Sequence, residues 1–119
     1  MKQKKYDIED RLVELAGNIV ILCKDLPNDM TGNYYGNQLL RSAGSAALNF
    51  GEAQGTNTVK DNIHKLSLSL KELKESRVNL RILAKVNYGE STRRDALLDE
   101  IEQLIKIIAT IIKNKKTQT

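Results

Sequence analysis

The sequence predicts an all-α fold: an antiparallel up-down-up-down four-helix bundle forming a single domain over residues 1–119. Three observations carry that prediction. Apolar residues recur at steps of three and four in four separate blocks. No block shows the sustained period-two alternation of a strand. The connections between blocks run to about five residues, a length that favours antiparallel neighbours. The expected helices span about 5–26, 31–53, 58–87 and 93–114.

In the first block Ile8, Leu12, Leu15, Ile19, Leu22 and Leu26 form one helical stripe. Leu26-Pro27-Asn28-Asp29 ends it, because proline disfavours helical geometry in the residue before it. The second block has two faces. Leu39, Ala43, Ala46, Phe50 and Ala53 fall within an arc of about 80°. Gln38, Arg41, Ser42, Ser45, Asn49 and Glu52 share a separate polar arc of about 100°. Small residues such as Ala43, Gly44, Ala46 and Ala47 permit close approach of a neighbouring helix. Gly55 with Thr56-Asn57-Thr58 makes the next turn, and Asn57 or Thr58 can cap the helix that follows.

In the third block Ile63, Leu66, Leu70, Leu73, Leu80 and Ala84 set out a seam, with Arg77 where the rhythm asks for an apolar residue. Tyr88-Gly89-Glu90-Ser91-Thr92 closes it and supplies caps for the fourth. There Leu97, Leu98, Ile101, Leu104, Ile105, Ile108, Ile111 and Ile112 make a wide apolar face, with Ile107 and Ala109 beside it. The first block likewise carries Val13, Val20 and Ile21 off its stripe. Apolar surface beyond what one interior needs points to a self-association face and a homo-oligomer. The alternative is a broad core with ordinary exposed apolar residues.

Composition excludes several classes. The chain has 19 Lys+Arg against 15 Asp+Glu, a net charge of +4, and abundant Leu, Ile and Val, which argues against disorder. Cys23 is its one cysteine, so no internal disulfide framework is available and a reducing cytosol fits. No apolar run reaches the roughly 18 residues of a membrane span, and the first residues turn acidic and amphipathic instead of entering a signal core. The expected location is cytoplasmic.

No catalytic constellation emerges. Asp61 and His64 have the carboxylate-to-histidine spacing of a di-iron bundle once, but His64 is the sole histidine. Cys23 lies in the apolar rhythm beside Leu22, where a thiol behaves as a small hydrophobe. Gly44-Ser45-Ala46-Ala47 lacks a nucleophile elbow, and Gly51-Glu52-Ala53-Gln54-Gly55 lacks the ending of a phosphate loop. No metal, cofactor or catalytic residue is expected, and the protein reads as a non-enzyme.

Two polar features remain. Arg41 and Arg77 can join Glu52, Glu72 or Glu75, with Asn49, in a buried or interfacial network that satisfies both middle helices. The third block holds seven basic residues (Lys60, Lys65, Lys71, Lys74, Arg77, Arg81 and Lys85) against Asp61, Glu72 and Glu75, and so carries the whole net charge. An up-down order also brings Lys2, Lys4 and Lys5 near Lys113, Lys115 and Lys116. A ring would repeat these clusters into a field suited to RNA or DNA phosphates. The candidate nucleic-acid contacts are Lys60, Lys65, Lys71, Lys74, Arg81, Lys85, Lys113, Lys115 and Lys116. Tyr34, Tyr35 and Tyr88 are the candidates for stacking, although no RNA-binding motif surrounds them.

The segments Leu26-Pro27, Gln38-Leu39-Leu40-Arg41-Ser42-Ala43-Gly44-Ser45 and Asn49-Phe50-Gly51-Glu52-Ala53 resemble the 23S rRNA-intervening sequence protein family. Ile63-His64-Lys65-Leu66, Leu70-Lys71-Glu72, Glu75-Ser76 and Leu80-Arg81-Ile82-Leu83 extend the likeness over about residues 8–112. Two departures stand out: Ala53 follows Glu52 where many members have Gly, and Val78-Asn79 replace an often aromatic pair. The resemblance implies an antiparallel four-helix bundle assembling as a ring, typically a homopentamer, in a bacterial protein. It marks Arg41, Asn49, Glu52, Glu72 and Glu75 as family-defining positions. The family is also similar to the accessory variability determinant of diversity-generating retroelements, a basic pentameric barrel that binds a reverse transcriptase and nucleic acid. The leading expectation is therefore a non-enzymatic oligomeric scaffold binding RNA, DNA or a nucleic-acid-associated protein. A purely protein-binding assembly module is the alternative.

Overall fold

The computed structural model describes the backbone of residues 4–118 and the side chains of residues 8–118. The described residues form four helices: α1 (Lys4–Lys24), α2 (Met30–Ala53), α3 (Val59–Lys85) and α4 (Ser91–Thr117). They form a four-helix bundle in which each packs on the next and α4 returns to α1. The termini follow local chemistry. Asp29 caps α2 by accepting the Gly32 N–H at 2.8 Å, and Thr58 caps α3 through the Asp61 N–H at 3.0 Å. Glu90 caps α4 by accepting from the N–H groups of both Thr92 and Arg93. The turn into α4 needs a left-handed residue at Gly89 (φ 84°), and a Cβ there would stand 3.0 Å from a Leu22 methyl.

The core gathers Leu12, Leu15, Ile19 and Leu22 of α1 with Leu39, Ala43, Ala46 and Phe50 of α2. From the other side come Leu66, Leu73, Leu80 and Leu83 of α3 and Leu97, Ile101, Leu104 and Ile108 of α4. The seam of α3 differs from the one its leucines outline. Ser69 and Ser76 are buried in it, whereas Ile63, Leu70 and Ala84 are half-buried and Arg77 sits at the flank. The reason lies across the interface. The α2 face is built of Ser42, Ala43 and Ala46, so the two backbones approach closely enough for serines to bridge them. Ser69 Oγ donates to the Ala46 carbonyl at 2.7 Å, and the Ser42 and Ser76 hydroxyls share a 2.6 Å hydrogen bond. A Leu in either place would have no room.

One end of the bundle is knitted by polar contacts. Tyr88 donates from its hydroxyl to Asp29 at 2.5 Å, joining the α3–α4 turn to the cap of α2. Arg94, 6% exposed, donates to the Tyr88 carbonyl at 3.0 Å and to the Asn87 side chain at 3.3 Å. Arg11 forks onto Glu100 with two 2.8 Å hydrogen bonds, tying α1 to α4. Cys23 is half-buried against the core, and burial pushes its thiol up to about 11. Among the described residues no helix is long and apolar enough to cross a membrane.

Candidate functional site

Helical geometry sorts the basic residues of α3. Positions 60, 64, 67, 71, 74, 78, 81 and 85 alternate in steps of four and three, so they stack along one side of the helix. That side faces away from the buried seam of Leu66, Ser69, Leu73, Ser76, Leu80 and Leu83. Lys60, Lys71, Lys74, Arg81 and Lys85 occupy five of the positions, His64 a sixth, and no carboxylate falls among them. All of these basic groups are exposed. The stripe runs about 38 Å, at 1.5 Å per residue.

Its charges are largely unopposed. Among the described residues no carboxylate comes within ion-pairing distance of Lys60, Lys74, Arg81 or Lys85. Lys71 has only a 3.9 Å approach to Glu75. Lys65 and Arg77 leave the stripe: Lys65 pairs with Glu52 at 2.7 Å and Arg77 with Glu102 at 3.1 Å. Of the terminal cluster, Lys113 and Lys116 are exposed near the end of α4, and Lys115 is half-buried. Lys115 lines a cleft with Thr58 and Val59, next to Lys60, so the α4 lysines adjoin the start of the stripe. Lys2 and the side chains of Lys4 and Lys5 lie outside the described residues.

Of the expected polar network, the contacts of Arg41 with Glu72 and Glu75 form, while Glu52, Arg77 and Asn49 go to other partners. Arg41 donates to Glu75 at 2.6 Å and to Glu72 at 3.3 Å, but its side chain is 50% exposed. The hydrogen bond from Arg41 holds the Glu75 carboxyl below its ordinary range, and Glu75 in turn raises Arg41. Glu52 and Arg77 are held by Lys65 and Glu102 as described, and Asn49 donates back to the Ser45 carbonyl of its own helix at 2.9 Å. Within the chain these are separate pairs at the surface, not one buried network. The cause is the orientation of α2, whose polar arc meets the edge of α3 while serines take the buried polar positions.

Between α2 and α3 lies an open groove of about 700 Å³, lined by Tyr34, Tyr35 and Gln38 on one side and by Leu70, Lys71, Lys74, Glu75, Val78 and Asn79 on the other. Tyr34 and Tyr35 meet edge to face, their ring centres 4.9 Å apart. Tyr88, the third aromatic candidate, is committed to Asp29 and half-buried. The groove was not legible as a site in the sequence; the tyrosine pair and the three-four spacing of Lys71, Lys74 and Val78 were its only signals. Among the described residues, no three of His, Cys, Asp and Glu gather as metal ligands, and Asp61 with His64 stays an isolated pair.

Fold and surface together define a small all-helical bundle protein with one long basic face. The chain belongs to the 23S rRNA-intervening sequence protein family, whose profile matches residues 4–110. Among solved structures it is similar to a protein of unknown function from the S23 ribosomal protein family of Bacteroides thetaiotaomicron. The two are 30% identical over 89% of this chain and 98% of that one, with a TM-score of 0.82. No curated protein matches the chain.

Proposed function

We propose that this protein is a non-enzymatic, self-assembling scaffold that holds the backbone of RNA or DNA on its basic α3 face. The observation that carries the reading is the stripe from Lys60 to Lys85, in which four cations have no carboxylate within ion-pairing distance among the described residues. Unneutralised cations along one face attract a phosphate chain and release its counterions. The family name, which ties its members to intervening sequences of 23S rRNA, agrees with an RNA-associated role.

The assembly we propose is a ring of antiparallel up-down-up-down bundles, a homopentamer in a bacterial cytoplasm. Support comes from the α1–α2 side. Cys23 Sγ lies 3.7 Å from the Gly36 carbonyl, and a Cβ on Gly51 would stand 3.4 Å from the Glu9 carboxylate. In that register Val20 stands level with Leu40, and Val13 with Leu48. All four are exposed, Leu48 by 68%, and Gly17 and Gly44 between them open onto free space. Such a ridge-and-dip apolar strip suits a helix of a second copy. Ile107 is half-buried and Ala109 is small, so α4 offers less of this surface than α1 and α2.

Light scattering and gel-shift titration test the proposal together. The expected result is a mass several times 13.4 kDa and retention of nucleic acid that weakens steeply with salt. A monomer removes the scaffold. Absence of retention even at low salt removes the nucleic-acid role and leaves a protein-binding module.

A further inference from the structure

The α2–α3 groove gives the basic face a feature that backbone binding alone does not need. A duplex keeps its bases stacked inside and presents phosphates to a smooth charged surface, whereas an unpaired strand offers bases that require a platform. Here the platform and the charges meet. Tyr34 is 56% exposed and Val78 50%, so an aromatic ring and an apolar side chain stand open to solvent across the groove. Lys71 and Lys74 of the stripe line the same groove. Its carboxylate, Glu75, is engaged by Arg41 at 2.6 Å and does not act as a free repelling charge. Gln38 and Asn79 add amide donors and acceptors that can meet a base edge.

We propose that this groove seats unpaired nucleotides, with a base against Tyr34 and phosphates at Lys71 and Lys74, so that the ligand is a single-stranded segment of RNA or DNA. The inference rests on the nucleic-acid reading above and narrows it from any phosphate chain to an unpaired one. The groove's volume of about 700 Å³ lies within the roughly 300–1,000 Å³ common for small-ligand sites. A second copy of the chain is the less favoured occupant. The groove carries two lysines, whereas the strip around Val20, Leu40 and Leu48 on the other flank of α2 is apolar.

The test is fluorescence anisotropy on the full chain, with a labelled mixed-sequence single strand and a blunt duplex of the same sequence at matched salt. Wild type is expected to bind the single strand at least about tenfold more tightly, and Tyr34→Ala to erase that preference. Tyr34→Phe should restore it, and Lys85→Ala should weaken binding to both ligands. Equal affinity for strand and duplex, or a preference that survives Tyr34→Ala, overturns the groove while the basic face stands. A fall in solution mass on Tyr34→Ala also overturns it, because the groove would then hold a neighbouring copy. If wild type binds neither ligand, the groove and the basic-face reading fail together.

Discussion

The hydroxyls of Ser42 and Ser76 lie 2.6 Å apart, fully buried, at the contact between α2 and α3. This pair sets how closely the two helices approach, and with them the groove above it. Replacing Ser76 by Leu would complete an apolar rhythm in the sequence, yet it forces a large side chain into a gap sized for two hydroxyls. Ser76→Leu is expected to destabilise by about 1–3 kcal/mol. Ser76→Ala, which leaves Ser42 its bond to the Leu39 carbonyl, should cost about 1 kcal/mol. Urea unfolding of the two variants gives the comparison; a Leu variant as stable as wild type contradicts the close approach.

Arg94 is buried with carbonyl partners in place of a carboxylate. Arg94→Met keeps the apolar stem but strands the Tyr88 carbonyl. We expect destabilisation of about 1–3 kcal/mol, read as a lower urea midpoint at unchanged slope.

Arg41→Ala should be mild. The pair with Glu75 is solvent-facing, and exposed ion pairs contribute about 0–1 kcal/mol. A melting temperature lowered by more than about 8 °C would show that Arg41 is buried in an assembled interface instead.

The link between Tyr88 and Asp29 makes stability depend on acid. Hydrogen bonds from Tyr88 and from the Gly32 N–H lower the Asp29 carboxyl below its ordinary value of 3.8. A group depressed in the folded state stabilises above its unfolded pKa, and that contribution is lost as pH falls through the folded pKa. Stability should therefore decline below about pH 4, and Asp29→Asn should flatten that part of the profile. Thermal melts from about pH 2 to about pH 6 check it, since the slope of stability against pH counts the protons taken up on unfolding. An unchanged slope in the Asn variant counts against the link.

Charge on α3 separates stripe from pairs. Lys60→Glu with Lys85→Glu should weaken nucleic-acid binding and reduce the salt slope by about 0.7–0.9 for each phosphate that is no longer neutralised. Lys65→Glu, at a position already tied to Glu52, should change the slope less. Equal effects from both changes would mean that position on the helix is irrelevant. Separately, Leu48→Glu is expected to lower the solution mass while helical content persists, a result readable by light scattering and circular dichroism.

Much was legible from residues alone. The apolar steps of three and four located all four helices, with ends displaced by no more than about three residues, since capping side chains define the ends better than periodicity does. Val13, Val20 and Ile21 fall off the core stripe in the sequence and are exposed in the fold, because periodicity is a local, one-dimensional signal. Packing decided the rest. Ser69 and Ser76 lie outside the apolar steps of the third block, yet they are core because the small face of α2 brings their helix close. Arg41 meets Glu72 and Glu75 as its residues suggest, whereas packing sends Glu52 to Lys65 and Arg77 to Glu102. Which side of a helix meets which neighbour depends on residues far apart in the chain, and only the folded arrangement of all four helices fixes it.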